Sequence, residues 1–127
     1  SSVAILSKVG LGKSLHPDFF ANYDGGPYGI PWIVVPDDTP RFPFIFEYWY
    51  ESDPGPYPVP PNPPIEGNGG GDAHLIVITQ NERKLYETFY THFVNGQWTA
   101  GSGAIFDLVN APVAVITDGM SSWTSTS

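Results

Sequence analysis

The sequence predicts an all-β domain, an antiparallel sandwich or barrel-like fold with seven or eight short strands and one long Pro/Gly-rich loop. Gly and Pro each occur 14 times in 127 residues. Both disfavour helix interiors, because Pro removes a hydrogen-bond donor and Gly costs backbone entropy. Short apolar runs recur between turn signals, which is typical of antiparallel sheets. No internal repeat is visible, so we expect a single β-rich domain over residues 1–127.

The first part of the chain predicts three strands. Residues 2–6 and 30–35 are short apolar runs, and residues 42–50 (FPFIFEYWY) give the strongest strand signal. Alternate residues of that third run fall on opposite faces, and both faces are largely apolar. Such a strand is either covered on both sides or presents an aromatic surface to a ligand. One face would carry Phe42, Phe44, Phe46, Tyr48 and Tyr50.

Further runs predict strands in the second half: residues 74–79, 85–94, 97–99, 104–109 and 113–117. The spacing of Leu85, Phe89 and Phe93 also fits a helix, but the β-branched and aromatic content of residues 85–94 favours a strand. Asn95-Gly96 predicts a two-residue hairpin turn, since both residues tolerate positive φ.

Residues 53–72 form the long loop. They include seven prolines between positions 54 and 64, which favour an extended backbone, and then a Gly-rich run over residues 67–71. A linker between two domains is one interpretation of such a composition. Neither flank is long enough for a domain of its own, so we expect an ordered loop that crosses one end of a sheet.

The charge balance narrows the class of partner. Five basic residues face 13 acidic ones, for a net charge of −8. Nucleic acid and anionic membrane surfaces would be repelled, whereas neutral polysaccharides, cations and basic partners remain open. The chain has no cysteine and no apolar run of the length of a membrane span. Few lysines and many aromatic residues favour an extracellular or cell-surface location.

An acidic corner is the first candidate site. Glu51 and Asp53 follow the aromatic strand, while Glu66, Asp72 and His74 lie where the loop returns to the sheet. If the loop closes like a hairpin, these groups converge. Two carboxylates can divide acid and base roles on a sugar, and an oxygen-rich cluster can bind Ca²⁺. The alternative is that the carboxylates are solvated or cap backbone N–H groups. The candidate catalytic residues are Glu51, Asp53, Asp72 and His74.

Aromatic side chains are the second candidate. Trp49, Tyr57 and Trp98 could stack on sugar rings, because the C–H face of a sugar packs on a π surface, and Glu66 could bond hydroxyl groups. The alternative for each aromatic residue is packing in the core. Ser102 does not lie in a nucleophile elbow, because the residue two positions before it is Ala100.

The chain also resembles the N-terminal part of a family of uncharacterised secreted bacterial proteins. The resemblance rests on residues 28–35 (YGIPWIVV), 51–58 (ESDPGPYP), 85–87 (LYE), 98–108 (WTAGSGAIFDL) and 123–125 (WTS), together with Asp72 and His74. It implies no activity. Members of that family look longer, which implies that this chain could be one part of a longer or two-chain protein.

Three functions remain open at this point. The first is a secreted domain that binds or processes polysaccharide, with catalysis left undecided. The second is a structural or assembly subunit of a fibre or surface layer, whose aromatic faces pack on another chain. The third is a cation-dependent adhesion module that uses the acidic corner.

Overall fold

A computed structural model describes residues 21–23 and 26–110 and confirms the all-β class. The strands predicted over residues 2–6 and 113–117 lie outside the described residues. Two short 3-10 turns, Trp49–Glu51 and Glu66–Gly69, accompany the strands. The strands are β1 (Ala21–Tyr23), β2 (Gly26–Tyr28), β3 (Trp32–Val35), β4 (Arg41–Phe42), β5 (Phe44–Phe46), β6 (Tyr57–Pro58), β7 (Leu75–Thr79), β8 (Lys84–Phe89), β9 (His92–Val94), β10 (Gln97–Ala100) and β11 (Ser102–Asp107).

The larger sheet has four strands in the order β11-β8-β7-β3. The first two pairings are antiparallel, with Tyr86 opposite both Ile105 and Val77. The smaller sheet has three strands in the order β5-β10-β9. Two further pairs, β1 with β2 and β4 with β6, are antiparallel. Two pairings differ from the expected antiparallel pattern, because β3 pairs with β7 and β5 pairs with β10 in parallel.

The core lies between these two sheets. Val35, Leu75 and Val77 of the four-stranded sheet form a buried cluster with Val59 of the Pro-rich loop. Aromatic side chains of the three-stranded sheet, Phe44 and Trp98, pack against this cluster. The arrangement is sandwich-like, and the sheets formed by residues 21–23 and 26–110 do not close into a barrel. Within the described residues, no helix has the length and apolar character that a membrane span requires.

The aromatic run over residues 42–50 is not one strand. Pro43 has no N–H to donate, and it separates β4 from β5. After Phe46 the chain turns, because the Glu47 amide donates to the carbonyl of Ala100 at 3.0 Å and the Tyr48 amide donates to that of Gly101 at 2.8 Å. The last four residues of the run, 47–50, therefore lie outside the sheet, in this turn and in the 3-10 turn that follows.

The run over residues 85–94 is also divided. β8 ends at Phe89, and Tyr90 adopts a positive φ of 55°. β9 then joins the other sheet. The Asn95-Gly96 hairpin is confirmed: it joins β9 to β10, with φ angles of 50° and 75°, as a type I′ turn requires.

Tyr57 ties the Pro-rich loop to both sheets. Its side chain is almost completely buried, with 2% of the residue exposed. Its ring lies 5.3 Å from that of Phe44 and 5.7 Å from that of Tyr86, and these two rings belong to different sheets. Its hydroxyl donates to the carbonyl of Asp53 at 2.7 Å. The loop therefore contributes a central residue of the core rather than crossing outside it.

Gly103 makes room for this tyrosine, so Gly103→Ala should destabilise the fold. A Cβ at position 103 would lie 2.6 Å from the Tyr57 hydroxyl and 2.7 Å from the Phe46 ring. We expect the free energy of unfolding to fall by about 1–3 kcal/mol in chemical denaturation, as for overpacked cores. Gly70→Ala is the matched control, because its nearest neighbour is one carbonyl at 3.3 Å and the site is exposed. It should change stability by less than about 0.5 kcal/mol. A Gly103→Ala protein as stable as the control would contradict this packing.

Tyr57→Phe should cost stability at neutral pH but less at alkaline pH. The lost hydrogen bond to Asp53 should cost about 1–2 kcal/mol. Burial raises the pKa of the Tyr57 phenol above its ordinary value of 10.0, with Asp53 and Tyr86 adding to the effect. Above pH 10 the unfolded chain therefore loses this proton before the folded protein does, and wild-type stability falls as pH rises.

The Tyr57→Phe variant has no phenol to ionise at this position. The difference in the free energy of unfolding between the variant and the wild type should therefore narrow above pH 10. Denaturant titrations at several pH values measure the gap. Tyr90→Phe, which removes an exposed hydroxyl, controls for the loss of a tyrosine. A gap for Tyr57→Phe that stays constant into the alkaline range would refute the assignment.

Candidate functional site

Trp49 lies at the surface on a turn that the sheets hold in place. The residue is 74% exposed, the highest value among the large hydrophobic side chains of the described chain. Before the turn, the amides of Glu47 and Tyr48 donate to carbonyls at the end of β10 and just after it. After the turn, the Asp53 amide donates to the carbonyl of Gly103 in β11 at 2.9 Å. The turn is thus fixed at both ends by backbone hydrogen bonds.

Two polar side chains hold the residues that follow this turn in place. The buried Ser52 hydroxyl donates to the carbonyl of Tyr48 at 2.7 Å and accepts from the amide of Gly103 at 3.2 Å. Asp53 accepts the Ile105 amide at 2.8 Å through one carboxylate oxygen. This amide belongs to the outer edge of β11, which would otherwise present unpaired groups. Ser52 and Asp53 therefore position the turn that carries Trp49.

An open groove of about 560 Å³ runs beside Trp49, and we call it the Trp49 groove. Its lining is mainly apolar and combines aromatic rings with prolines, which have few conformations to lose on binding. The lining residues are Pro43, Phe44, Phe46, Trp49, Ser52, Pro54, Gly55 and Pro56. The rings of Trp49 and Tyr50 meet edge to face, with 5.8 Å between their centroids.

Carboxylates surround the turn. The Glu47 carboxylate raises the pKa of the Tyr48 phenol above its ordinary value, and desolvation, Tyr50 and Glu51 add smaller effects in the same direction. These side chains are therefore close enough to share one electrostatic environment. The environment is negative, and it contains two phenol groups that can donate or accept hydrogen bonds.

The basic side chains in the described part of the chain lie elsewhere. Arg41 donates to the Tyr86 hydroxyl at 2.7 Å and forms an ion pair with Glu82 at 2.9 Å. Lys84 and Arg83 lie at the start of β8, and Lys84 is opposite Asp107. That end of the ladder is about 16 Å from Ser102, at about 3.3 Å for each of five residues. The Trp49 turn contacts the Ser102 end, so its negative charge is not neutralised by these cations.

Glu66 and His74 form a second polar arrangement. The carboxylate of Glu66 lies 2.6 Å from Nδ1 of His74 and also accepts the His74 backbone amide at 3.2 Å. The Glu66 amide in turn donates to the His74 carbonyl at 3.0 Å. His74 is only 6% exposed, so this contact ties the Gly-rich end of the loop to the start of β7.

Glu87 adds a third group to this arrangement. Its carboxylate oxygen lies 4.0 Å from Nε2 of His74, and the residue is completely buried. Glu87 is not among the residues that the sequence pattern predicted for a site. The available signal was a lone acidic residue in the middle of an apolar strand, where a charge is costly unless it has partners. Glu66, His74 and Glu87 therefore fit a structural role, in which they hold the Gly-rich end of the loop against the sheet. His74 and Glu87 are buried from solvent.

The structure does not bring the four predicted catalytic residues to one point. Asp53 lies beyond β11, whereas His74 immediately precedes β7, two strands further into the sheet. From Asp53 to β11, from β11 to β8 and from β8 to β7 are three inter-strand spacings of about 4.8 Å, so Asp53 and His74 are about 14 Å apart across the sheet. Asp72 is exposed, and its carbonyl accepts the Tyr90 amide at 2.7 Å. Glu51 lies on the Trp49 turn and is partly exposed.

The predicted ligand-binding residues are also separated. Trp49 is exposed, whereas Tyr57 lies in the core and is inaccessible to a ligand. Trp98 is half-buried, with its ring 5.8 Å from that of Phe44 and 4.8 Å from that of Phe93. Glu66 is paired with His74. Among residues 21–23 and 26–110, no group of three or more His, Asp or Glu side chains has the arrangement of a metal site.

A larger open groove, of about 930 Å³, follows the end of the Pro-rich loop. Pro63, Pro64 and Ile65 line it, together with Phe93 and His92. Both ring nitrogens of His92 lie 3.1 Å from carbonyl oxygens of the protein, so this ring is engaged in holding the loop. Among the described residues that line this groove, none is acidic, none is a lysine or arginine, and none is a tryptophan.

Comparison of the chain with known protein families, with curated proteins and with solved structures found no match.

Proposed function

We propose that this chain is a polysaccharide-binding domain and that the Trp49 groove is its binding site. The observation that carries the proposal is a tryptophan that is three-quarters exposed on a turn fixed at both ends by hydrogen bonds. An exposed aromatic ring contributes little to the core, and Tyr48 and Tyr50 beside it are exposed as well. A contiguous exposed aromatic patch of this kind is typical of a binding surface. We further propose an extracellular or cell-surface location, where a polymer of this class would be met.

The chemistry of the groove suits a sugar. The apolar C–H face of a sugar ring can stack on Trp49, while Glu47 and Glu51 can accept hydrogen bonds from hydroxyl groups. The turn is already ordered before binding, so little entropy is lost when it contacts a ligand. The prolines of the lining support the same point, because their φ angles are fixed.

Binding is favoured over processing of the polymer. Acid–base work on a glycosidic bond needs two carboxylates on either side of it, within about 5–10 Å of each other. One oxygen of Asp53 is occupied by the Ile105 amide, and His74 is buried against Glu66. The remaining accessible carboxylates, Glu47 and Glu51, lie on one turn and neither lines the groove, so they do not flank a bound sugar from both sides.

Trp49→Ala should weaken binding to an insoluble polysaccharide by roughly 30-fold, which corresponds to about 2 kcal/mol for a central aromatic anchor. Depletion isotherms with a panel of neutral polymers measure the affinity. Trp32→Ala is the matched control, because Trp32 is half-exposed on β3, at the opposite edge of the four-stranded sheet. If the two variants bind alike, Trp49 is not the platform. If the wild type binds no polymer in the panel, the proposed function falls.

Assembly with another chain is the second candidate, and the observation that favours it concerns β3. This strand pairs only with β7 among the described residues, and its residues Trp32 and Val34 are half-exposed. An edge strand with exposed apolar side chains is a template for pairing with a second copy of the chain. We propose such a dimer as the alternative function of this surface.

Val34→Lys should abolish self-association through this edge, because a buried lysine at the new interface would be costly. Sedimentation velocity over a concentration series measures the oligomeric state. Val94→Lys is the control, since Val94 is equally exposed but belongs to the other sheet. A wild-type protein that remains monomeric at its highest soluble concentration would rule this candidate out.

A further inference from the structure

We propose that the ligand of the Trp49 groove is a cationic polysaccharide, a polymer of sugars that carry free amino groups. This inference rests on the proposed function and specifies the substrate class of the same site. It follows from the charges on the turn that carries Trp49, from the distance of the described basic side chains from that turn, and from the exposed aromatic rings that lie between the charges.

The acidic groups at the turn differ in what they can do. The Asp53 carboxylate is committed to the Ile105 amide. Glu47 is exposed and Glu51 is partly exposed, and they bracket the three aromatic residues between them. Glu47 and Glu51 are therefore the solvent-accessible carboxylates of this turn, and Glu47 also accepts a hydrogen bond from the Tyr48 phenol.

These carboxylates are not neutralised by the basic residues of the described chain. Arg41 is bound to Glu82 and Tyr86, while Arg83 and Lys84 lie at the far end of the β8–β11 ladder. The whole chain carries a net charge of −8, so the wider field has the same sign. A polymer of uronic acids or sulfated sugars would be repelled at this surface, and an amine-bearing polymer would be attracted.

The aromatic residues suit an ammonium group as well as a sugar ring. The face of a tryptophan or tyrosine attracts a cation through its quadrupole, and Trp49 and Tyr50 meet edge to face beside the two glutamates. An amino sugar offers both features at once, because it has an apolar C–H face for stacking and a charged nitrogen for the carboxylates. A neutral sugar offers only the apolar C–H face.

The test uses two polymers with the same backbone and linkage, a β-1,4-linked polymer of glucosamine and its fully N-acetylated counterpart. They differ in charge at a single substituent. The assay is run at about pH 5.5, so that the amino groups of the glucosamine polymer carry a positive charge. We expect the wild type to bind the amine polymer roughly tenfold more tightly at low salt, as two exposed ion pairs would give, and the preference should shrink in high salt.

The double variant Glu47→Gln/Glu51→Gln should lose this preference while it keeps its affinity for the N-acetylated polymer. Asp38→Asn/Asp72→Asn is the matched control, because it removes the same charge from exposed positions away from the turn that carries Trp49. It should keep most of the preference. Trp49→Ala should weaken binding to both polymers.

The outcomes separate this inference from the function on which it rests. Equal, salt-independent binding of the two polymers would overturn the cationic preference and leave a neutral polysaccharide site. If the control double variant loses the preference for the amine polymer to the same extent, the preference reflects general attraction of a polycation to an acidic protein. That result would also overturn the inference. If wild type binds neither these polymers nor any neutral one, but binds a basic proline-rich peptide through Trp49, both proposals fail.

Discussion

The burial of Tyr57 is the constraint on which the rest of the structure depends. Its ring lies between Phe44 of the smaller sheet and Tyr86 of the larger one, and its hydroxyl reaches back to the Asp53 carbonyl. A buried phenol must find a hydrogen-bond acceptor, and here the acceptor is the residue that leaves the Trp49 turn. The position opposite has to be Gly103, since no side chain would fit. The core therefore fixes the path of the Pro-rich loop.

This arrangement couples the candidate site to the core through Asp53. Its carbonyl accepts from Tyr57, while its carboxylate accepts from Ile105 at the sheet edge. Both contacts are structural, so Asp53, one of the four candidate catalytic residues, helps to hold the Trp49 turn in place. The exposed groups of the site, Trp49 and Glu51, owe their position to it.

Local chemistry was predictable, and contacts between distant segments were not. The Asn95-Gly96 hairpin depends on two neighbouring residues that tolerate positive φ, so its sequence identifies it. Trp49 is exposed, and exposure was one of the two alternatives that the alternating pattern of the aromatic run left open. The burial of Tyr57 depends on Gly103, and the environment of Glu87 depends on His74, and neither relation leaves a local pattern. The turn after Phe46 likewise depends on carbonyls of a strand far along the chain.

The parallel pairing of β5 with β10 bears on the order in which the protein folds. The two strands come from opposite halves of the chain, with the whole Pro-rich loop and the β7–β8 hairpin between them. Hairpins such as β9–β10 close short loops and can form early, whereas this pairing must first offset the entropy of closing a long one. The smaller sheet, and the Trp49 turn that its end anchors, should therefore be completed late in folding. Binding at the proposed Trp49 site would then report the completion of the smaller sheet.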